Sequence, residues 1–225
     1  MPDSTLSGGP FARDPQHENL IVTRHPLLEH KVTLLRSVDT NKKVFEELID
    51  EIAQLLAYEV TADLRTEPRT IETPLETMEG VYVDGARIII VPVLRAGLGM
   101  VEGVLRLIPT ARVGHIGLQR DDDTLEPADY YFKIPPAAEG SLHIVTDPML
   151  ATGGSASAAV SALKKRGARA IRLMCIVAAP EGVRRMREDH PEVPVYAAAF
   201  DRALNEKGYI LPGLGDAGDR LFGTL

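Results

Sequence analysis

Residues 142–155 read LHIVTDPMLATGGS, and this stretch constrains the chain more than any other. A short apolar run rich in β-branched residues predicts a buried strand. The run ends at Asp147, and a loop of small and hydroxyl residues with Gly153 and Gly154 follows. Helical spacing then begins at once through Ser157, Val160, Leu163 and Lys164, with Gly167 as the stop. Strand, acid, glycine-hydroxyl loop and helix start together make a phosphate cradle. The first N–H groups of a helix lack intrahelical partners, and the helix dipole favours an anion there. Thr152 and Ser155 add hydroxyl donors, and the two glycines let the backbone come close. A β-branched side chain at Gly153 is expected to fill the anion site. Asp147 is placed to accept hydrogen bonds from sugar hydroxyls.

The order of residues excludes two other cradles. A nucleoside-triphosphatase loop needs Gly-x-x-x-x-Gly-Lys-Ser/Thr, and no Lys follows these glycines. A dinucleotide fingerprint needs Gly-x-Gly-x-x-Gly, and the loop lacks it. The alternative is a plain surface turn ahead of an amphipathic helix. DPMLATGGS resembles the phosphoribosyl-diphosphate loop of phosphoribosyltransferases, and most closely that of the uracil phosphoribosyltransferase family. The wider superfamily places two acids in succession, whereas Thr146 holds the first of those places here, as in the uracil branch.

The chain has 225 residues, 44% hydrophobic and 25% charged, enough for one large α/β domain with an ordinary core. Its formal net charge of -7 argues against a general binder of nucleic acid or of anionic membrane. No apolar run reaches the roughly 18 residues of a membrane span. The lone Cys175 forms no intrachain disulfide and reads as a small core hydrophobe rather than a nucleophile. The N-terminus lacks a signal pattern, so a cytoplasmic location is expected.

Residues 1–17 are polar and rich in turn formers, and are expected to form a flexible tail ahead of a single domain over 18–225. Asp39 is the expected cap of a helix carrying Val44, Leu48, Ile52, Leu55 and Leu56 at helical spacing. Strands are predicted over 88–94, 113–118, 142–146, 171–178 and 193–200, with helices over 97–107, after Ser155 and from Glu181. There are no repeats. This alternation implies a central parallel sheet flanked by helices on both faces, with ligands at the carboxyl ends of the strands. Arg95, Arg120 and Asp147 each follow a predicted strand and are therefore expected at one edge.

For Arg95 or Arg120 alone, a surface salt bridge is the simpler reading. Together beside a phosphate loop they suit a diphosphate clamp, because a guanidinium grips phosphate oxygens in two-pronged fashion. PVLRAGLGM around Arg95 and RDDDTLEP from Arg120 resemble two further segments of the same family, whose matching arginines hold the diphosphate. Asp121 to Asp123, where the family more often has glutamates, read as a solvated loop rather than a metal cluster.

The glycine-rich tail NEKGYILPGLGDAGDRLFGTL, residues 205–225, suggests backbone in close approach to something small. It resembles the family's base-binding end, a C-terminal hood over the site. The six histidines show no triad or metal spacing, and His25 and His30 read as structural.

The resemblance runs from about residue 20 onward and implies a phosphoribosyltransferase-type α/β fold. It implies transfer of phosphoribose from phosphoribosyl diphosphate to uracil, giving UMP and diphosphate. Asp147, Pro148, Met149, Leu150, Ala151, Thr152, Gly153, Gly154, Ser155, Arg95, Arg120 and Asp216 are then expected at phosphoribosyl diphosphate. Ile210, Gly215, Asp216 and Ala217 are expected at uracil, with Asp147, Arg120 and Asp216 the catalytic group. Mg²⁺ is expected mainly on substrate oxygens, with no protein ligands assigned. The family forms dimers or larger assemblies, and GTP activates some members. The rival readings are a regulator of the same fold that binds RNA, opposed by the charge, and a nucleotide-binding module without turnover, opposed by the intact tail.

Overall fold

The computed structural model describes residues 11–14, 17–120 and 127–224. Strands β1 (Phe11–Asp14) and β2 (His17–Thr23) precede helices α1 (Pro26–Arg36) and α2 (Lys42–Val60). A hairpin of β3 (Glu67–Glu72) and β4 (Thr77–Tyr82) follows, then β5 (Ile88–Pro92). A 3-10 turn over Ala96–Met100 leads into α3 (Val101–Leu107) and the two-residue β6 (Arg112–Val113). Strands β7 (His115–Arg120) and β8 (Pro127–Lys133) form a ribbon. Next come β9 (Leu142–Thr146), β10 (Met149–Leu150), α4 (Gly154–Lys165), β11 (Ala170–Ala178), α5 (Pro180–Asp189) and β12 (Val195–Phe200). The last described elements are β13 (Ala203–Leu204), β14 (Ile210–Leu211) and α6 (Ala217–Phe222).

The main sheet runs β1-β2-β12-β11-β9-β5-β6, with β10 paired to β11. Only β1 is antiparallel to its neighbour. Side chains alternate across it with the period of a strand. Ile88, Ile90, Leu142, Ile144, Met174 and Ile176 join one core with α1, α2, α3 and α6. Ile89, Val91, Val145, Leu173 and Cys175 join the other with α4 and α5. Both faces are thus covered, which is why the strands read as unbroken apolar runs.

Four local expectations change. Asn41, not Asp39, caps α2, its Oδ1 accepting the Val44 N–H at 3.1 Å. Either residue type caps well, and only the fold selects between them. The predicted helix over 97–107 divides into the 3-10 turn and α3, with Gly97 pressed against the end of β9. A Cβ there would lie 2.3 Å from the Thr146 carbonyl oxygen. The strand predicted over 113–118 divides too: β6 ends the sheet, and β7 leaves it to pair with β8. Phe11–Asp14, within the expected tail, pairs with β2 at the sheet edge. His17 likewise opens β2, while residues 1–10, 15 and 16 lie outside the described residues, as do Asp121 to Asp123.

Candidate active site

The carboxyl ends of β5 and β9 lie side by side, with Pro92 opposite Thr146. This pairing brings the Arg95 and Asp147 loops together. Thr146 ties them further: its backbone oxygen accepts the Val93 N–H at 3.0 Å and its hydroxyl donates to Gly97 O at 3.2 Å. Thr146 is fully buried. A carboxylate in its place would be desolvated without a cation, which explains physically why the first acidic place holds a neutral residue.

Asp147 begins the loop. Its Oδ1 accepts the Met149 N–H at 3.2 Å. Burial pushes its carboxyl up to about 7, partly offset by that hydrogen bond. Pro148 and β10 then fasten the loop to β11: Pro148 O accepts N–H groups of Ile176 and Val177 at 3.1 and 3.0 Å. Leu150 is buried in the core under α4 and α5, and Met149 packs against the core on the other face, so the two side chains anchor the loop from both sides of the sheet. Thr152 and Ser155 are exposed.

Gly153 takes φ +79° and opens α4 with no capping side chain. The first intrahelical bond is the Ser157 N–H to Gly153 O at 2.9 Å. The preceding amides of the turn therefore remain available to an anion. A Cβ on Gly153 would lie 3.0 Å from Arg185 Cβ and from Gly182 O, so it points at α5. This corrects the expectation that a side chain there fills the anion site. Gly154 is the open position, with only Thr152 Oγ1 near its Cβ, at 3.8 Å.

The tail comes to the same edge. Asn205 Oδ1 accepts the N–H groups of Lys207 and Tyr209, each at 2.9 Å, and shapes the turn of the β13–β14 hairpin. A Cβ on Gly208 in that turn would lie 4.0 Å from Thr152 Cγ2, so the hairpin stands beside the 147–155 loop. Ile210 is buried in the core. Asp216 caps α6, its Oδ1 accepting the Asp219 N–H at 2.9 Å. Ala217 is buried at the first turn of α6. Gly215, with φ +80°, precedes the cap.

Arg95 is mostly exposed and lies against this cap. Its Nη2 is 3.6 Å from Asp219 Oδ1, and its guanidinium is 5.8 Å from the Phe222 ring centre. Exposed pairs of this kind contribute little, so Arg95 is free to turn to a stronger anion. Arg95, the Asp147 loop and the tail thus meet as expected. Arg120 differs. Its backbone ends β7, paired with Pro127, on the ribbon rather than at the main-sheet edge. The ribbon starts beside Arg95, where Leu94 N–H donates to Ile116 O at 2.9 Å. Four residues of strand place Arg120 about 13 Å further along.

Three residues that the sequence reading passed over hold the tail. Arg36 and Asp201 form a two-pronged ion pair with both contacts at 2.7 Å. Arg220 donates to Leu35, Ser37 and Leu214 carbonyls and stacks 4.2 Å from the Phe45 ring centre. An arginine two residues before a helix end carries no signal of such roles. Cys175 is buried, and burial together with the nearby Asp147 carboxylate pushes its thiol well up, so it is unsuited to attack. His25 caps α1, accepting the Leu27 N–H at 3.2 Å, in keeping with a structural role.

The chain is similar to known proteins over most of its length. Residues 22–224 match the family described as Uracil phosphoribosyltransferase. The uracil phosphoribosyltransferase of Listeria innocua is 56% identical over 206 residues, covering 92% of this chain and 99% of the relative. That of Bacillus cytotoxicus is 57% identical over 205 residues, covering 91% and 98%. The solved structure of the AQ2163 protein from Aquifex aeolicus superposes with a TM-score of 0.85 at 37% identity, covering 90% of this chain and 97% of that one. The fold, the 147–155 loop motif and these relatives lead to one conclusion: the chain belongs to the uracil phosphoribosyltransferase family.

Proposed function

We propose that this chain transfers phosphoribose from 5-phospho-α-D-ribose 1-diphosphate to uracil, giving UMP and diphosphate. The observation that carries the reading is the uncapped start of α4 at Gly153, facing a tail hairpin that stands beside Thr152. In this reading the α4 amides with the Thr152 and Ser155 hydroxyls hold the 5′-phosphate. Asp147, ionised, accepts from the ribose hydroxyls. Arg95, released from Asp219, and Arg120 on the ribbon take the diphosphate oxygens. As the anomeric C–O bond lengthens, negative charge grows on the leaving diphosphate, where preorganised cations act most strongly. The tail presents backbone groups of Ile210, Gly215 and Ala217 to uracil, with Asp216 between base and phosphoribosyl diphosphate. The base is thereby aligned to attack the anomeric carbon from the opposite face, losing its ring proton as UMP forms.

The residues fit a bound Mg²⁺. Asp147 is a half-buried carboxylate, and no ion pair neutralises it among the described residues. A cation carried in by substrate oxygens needs only one such protein group plus water. When bound, the ion would withdraw charge from the diphosphate. Turnover of uracil to UMP, followed by absorbance or radiolabel, tests the assignment. Activity is expected with Mg²⁺ and is expected to vanish on adding EDTA. No UMP under either condition would favour a binding module without turnover.

The raised Asp147 value sets a pH dependence. A carboxyl raised in the folded state contributes stability below its ordinary value of 3.8, and that contribution is lost as pH rises through about 7. A ligand that needs the ionised form therefore binds less well below about 7. Phosphoribosyl diphosphate affinity, measured calorimetrically from pH 8 to 6, is expected to weaken on acidification in the parent. The slope is expected to be smaller in Asp147→Asn. Ligand phosphates titrate equally with both proteins, so equal slopes would remove the ribose role.

We further propose, from the family resemblance, a homodimer or larger assembly, GTP as effector and a cytoplasmic location. No described helix is long and apolar enough to cross a membrane.

A further inference from the structure

We infer that Arg36 and Asp201 act as a positioning clamp that sets the uracil subsite by fixing both backbone polar groups of Gly213. This inference rests on the reading that the tail binds uracil. Asp201 follows β12 at the carboxyl edge of the sheet, anchored by its own N–H to Ala178 O at 2.8 Å. Its side chain is 5% exposed and that of Arg36 is 21% exposed. Arg36 Nη2 donates to Asp201 Oδ1 and Nη1 to Oδ2, both at 2.7 Å. Nη1 also donates to Gly213 O at 2.7 Å, and Gly213 N–H donates to Asp201 Oδ2 at 2.8 Å. Gly213 therefore has its donor and its acceptor held by one ion pair. Two residues further on lies Gly215, the start of the expected base contacts.

A buried ion pair is a poor device for stability alone, since well-packed apolar residues often serve as well. What it supplies is direction, because a two-pronged pair fixes angles as well as distance. Direction matters here because uracil would be read by peptide groups. A bare backbone has no rotamer to adjust, so its accuracy depends on what holds the neighbouring residues. Arg220 fastens the adjoining residue, donating to Leu214 O at 2.8 Å while reaching Leu35 O at 2.9 Å on the α1 side. Both carboxylate oxygens of Asp201 and both terminal nitrogens of Arg36 are engaged within the protein. The pair is thus suited to positioning rather than to touching substrate.

Asp201→Asn keeps the shape but sets an amide N–H against a guanidinium N–H, whichever way the amide is turned. Losing one hydrogen bond to a charged group corresponds to about 10-fold or more. The expected result is a KM for uracil raised by about that factor, with kcat at saturating uracil changed by less than about threefold. Calorimetric affinity for phosphoribosyl diphosphate is expected to stay near the parent value, and Arg36→Lys is expected to give a smaller rise in uracil KM. A merely structural role would instead lower affinity for both substrates in step with loss of thermal stability, and that outcome overturns the clamp. An unchanged uracil KM in both variants also overturns it, and Asp216→Ala then separates the two claims. If Asp216→Ala raises uracil KM, the tail reading stands and only the clamp is wrong. If it does not, the tail reading falls as well.

Discussion

Asp147→Asn is expected to lower kcat by about 100-fold or more, on the scale seen when one preorganised partner of a reacting group is lost. The amide has the shape of the acid but offers donors where ribose hydroxyls need acceptors. Folding is expected to respond in the opposite sense. Burial already makes the ionised carboxyl unfavourable, holding its value up to about 7. At pH 8 the neutral amide avoids that cost, so the melting temperature should hold or rise. Loss of activity with a maintained or higher Tm is the pattern of a group kept for chemistry at the expense of stability. Retention of most of kcat would show that Asp147 is not the ribose partner.

Gly153→Val is expected to reduce phosphoribosyl diphosphate affinity by at least about 100-fold, roughly 2.7 kcal/mol. Gly153 has φ +79°, where a β-branched residue is a strong outlier. Its Cβ would also crowd Gly182 O and the Arg185 stem at 3.0 Å. Relief requires the loop to shift away from α5, which carries the first amides of α4 out of place. Backbone strain of about 1–3 kcal/mol should appear as a Tm lower by several degrees. Gly154→Val is the companion experiment. Gly154 faces open space beside the Thr152 hydroxyl. A side chain there is expected to weaken binding with little change in Tm. If calorimetric titration shows unchanged affinity in both variants, the loop is only a turn.

The difference between these glycines was not legible in the sequence, where they stand side by side. What could be read was contiguous. The strand, Asp147, the loop and α4 occupy one uninterrupted stretch, so apolar runs and helical spacing disclose them. The two-sided burial of β5, β9 and β11 was legible for the same reason. Features made by distant partners were not. β2 enters the sheet against β12, with Leu20 opposite Val195. Its partner lies far along the chain, and nothing local marks the pairing. The β3–β4 hairpin is exposed on nearly every residue and so shows no alternation of apolar and polar positions. β7 reads like a sheet strand from His115 to Leu118, yet β6 already closes that edge and β7 turns to β8. The Arg36–Asp201 pair joins residues 165 positions apart, and neither has a neighbourhood that announces it. Contiguous motifs are legible in the sequence, while groups that hold those motifs in place become visible only in three dimensions.

Relative kcat/KM for uracil, cytosine and orotate tests most directly whether this loop and tail together make a uracil site. Cytosine sets an amino donor where uracil has a carbonyl acceptor, leaving a buried peptide N–H unpaired, and such mismatches discriminate by about 10⁴–10⁵. Orotate adds a carboxylate that needs a cation to offset its desolvation; in this reading Arg95 is committed to the diphosphate, and Asp216 and Asp219 at α6 have the wrong sign. Uracil is therefore expected to exceed both by several orders of magnitude. Comparable values for uracil and orotate would contradict the assignment of the tail to uracil.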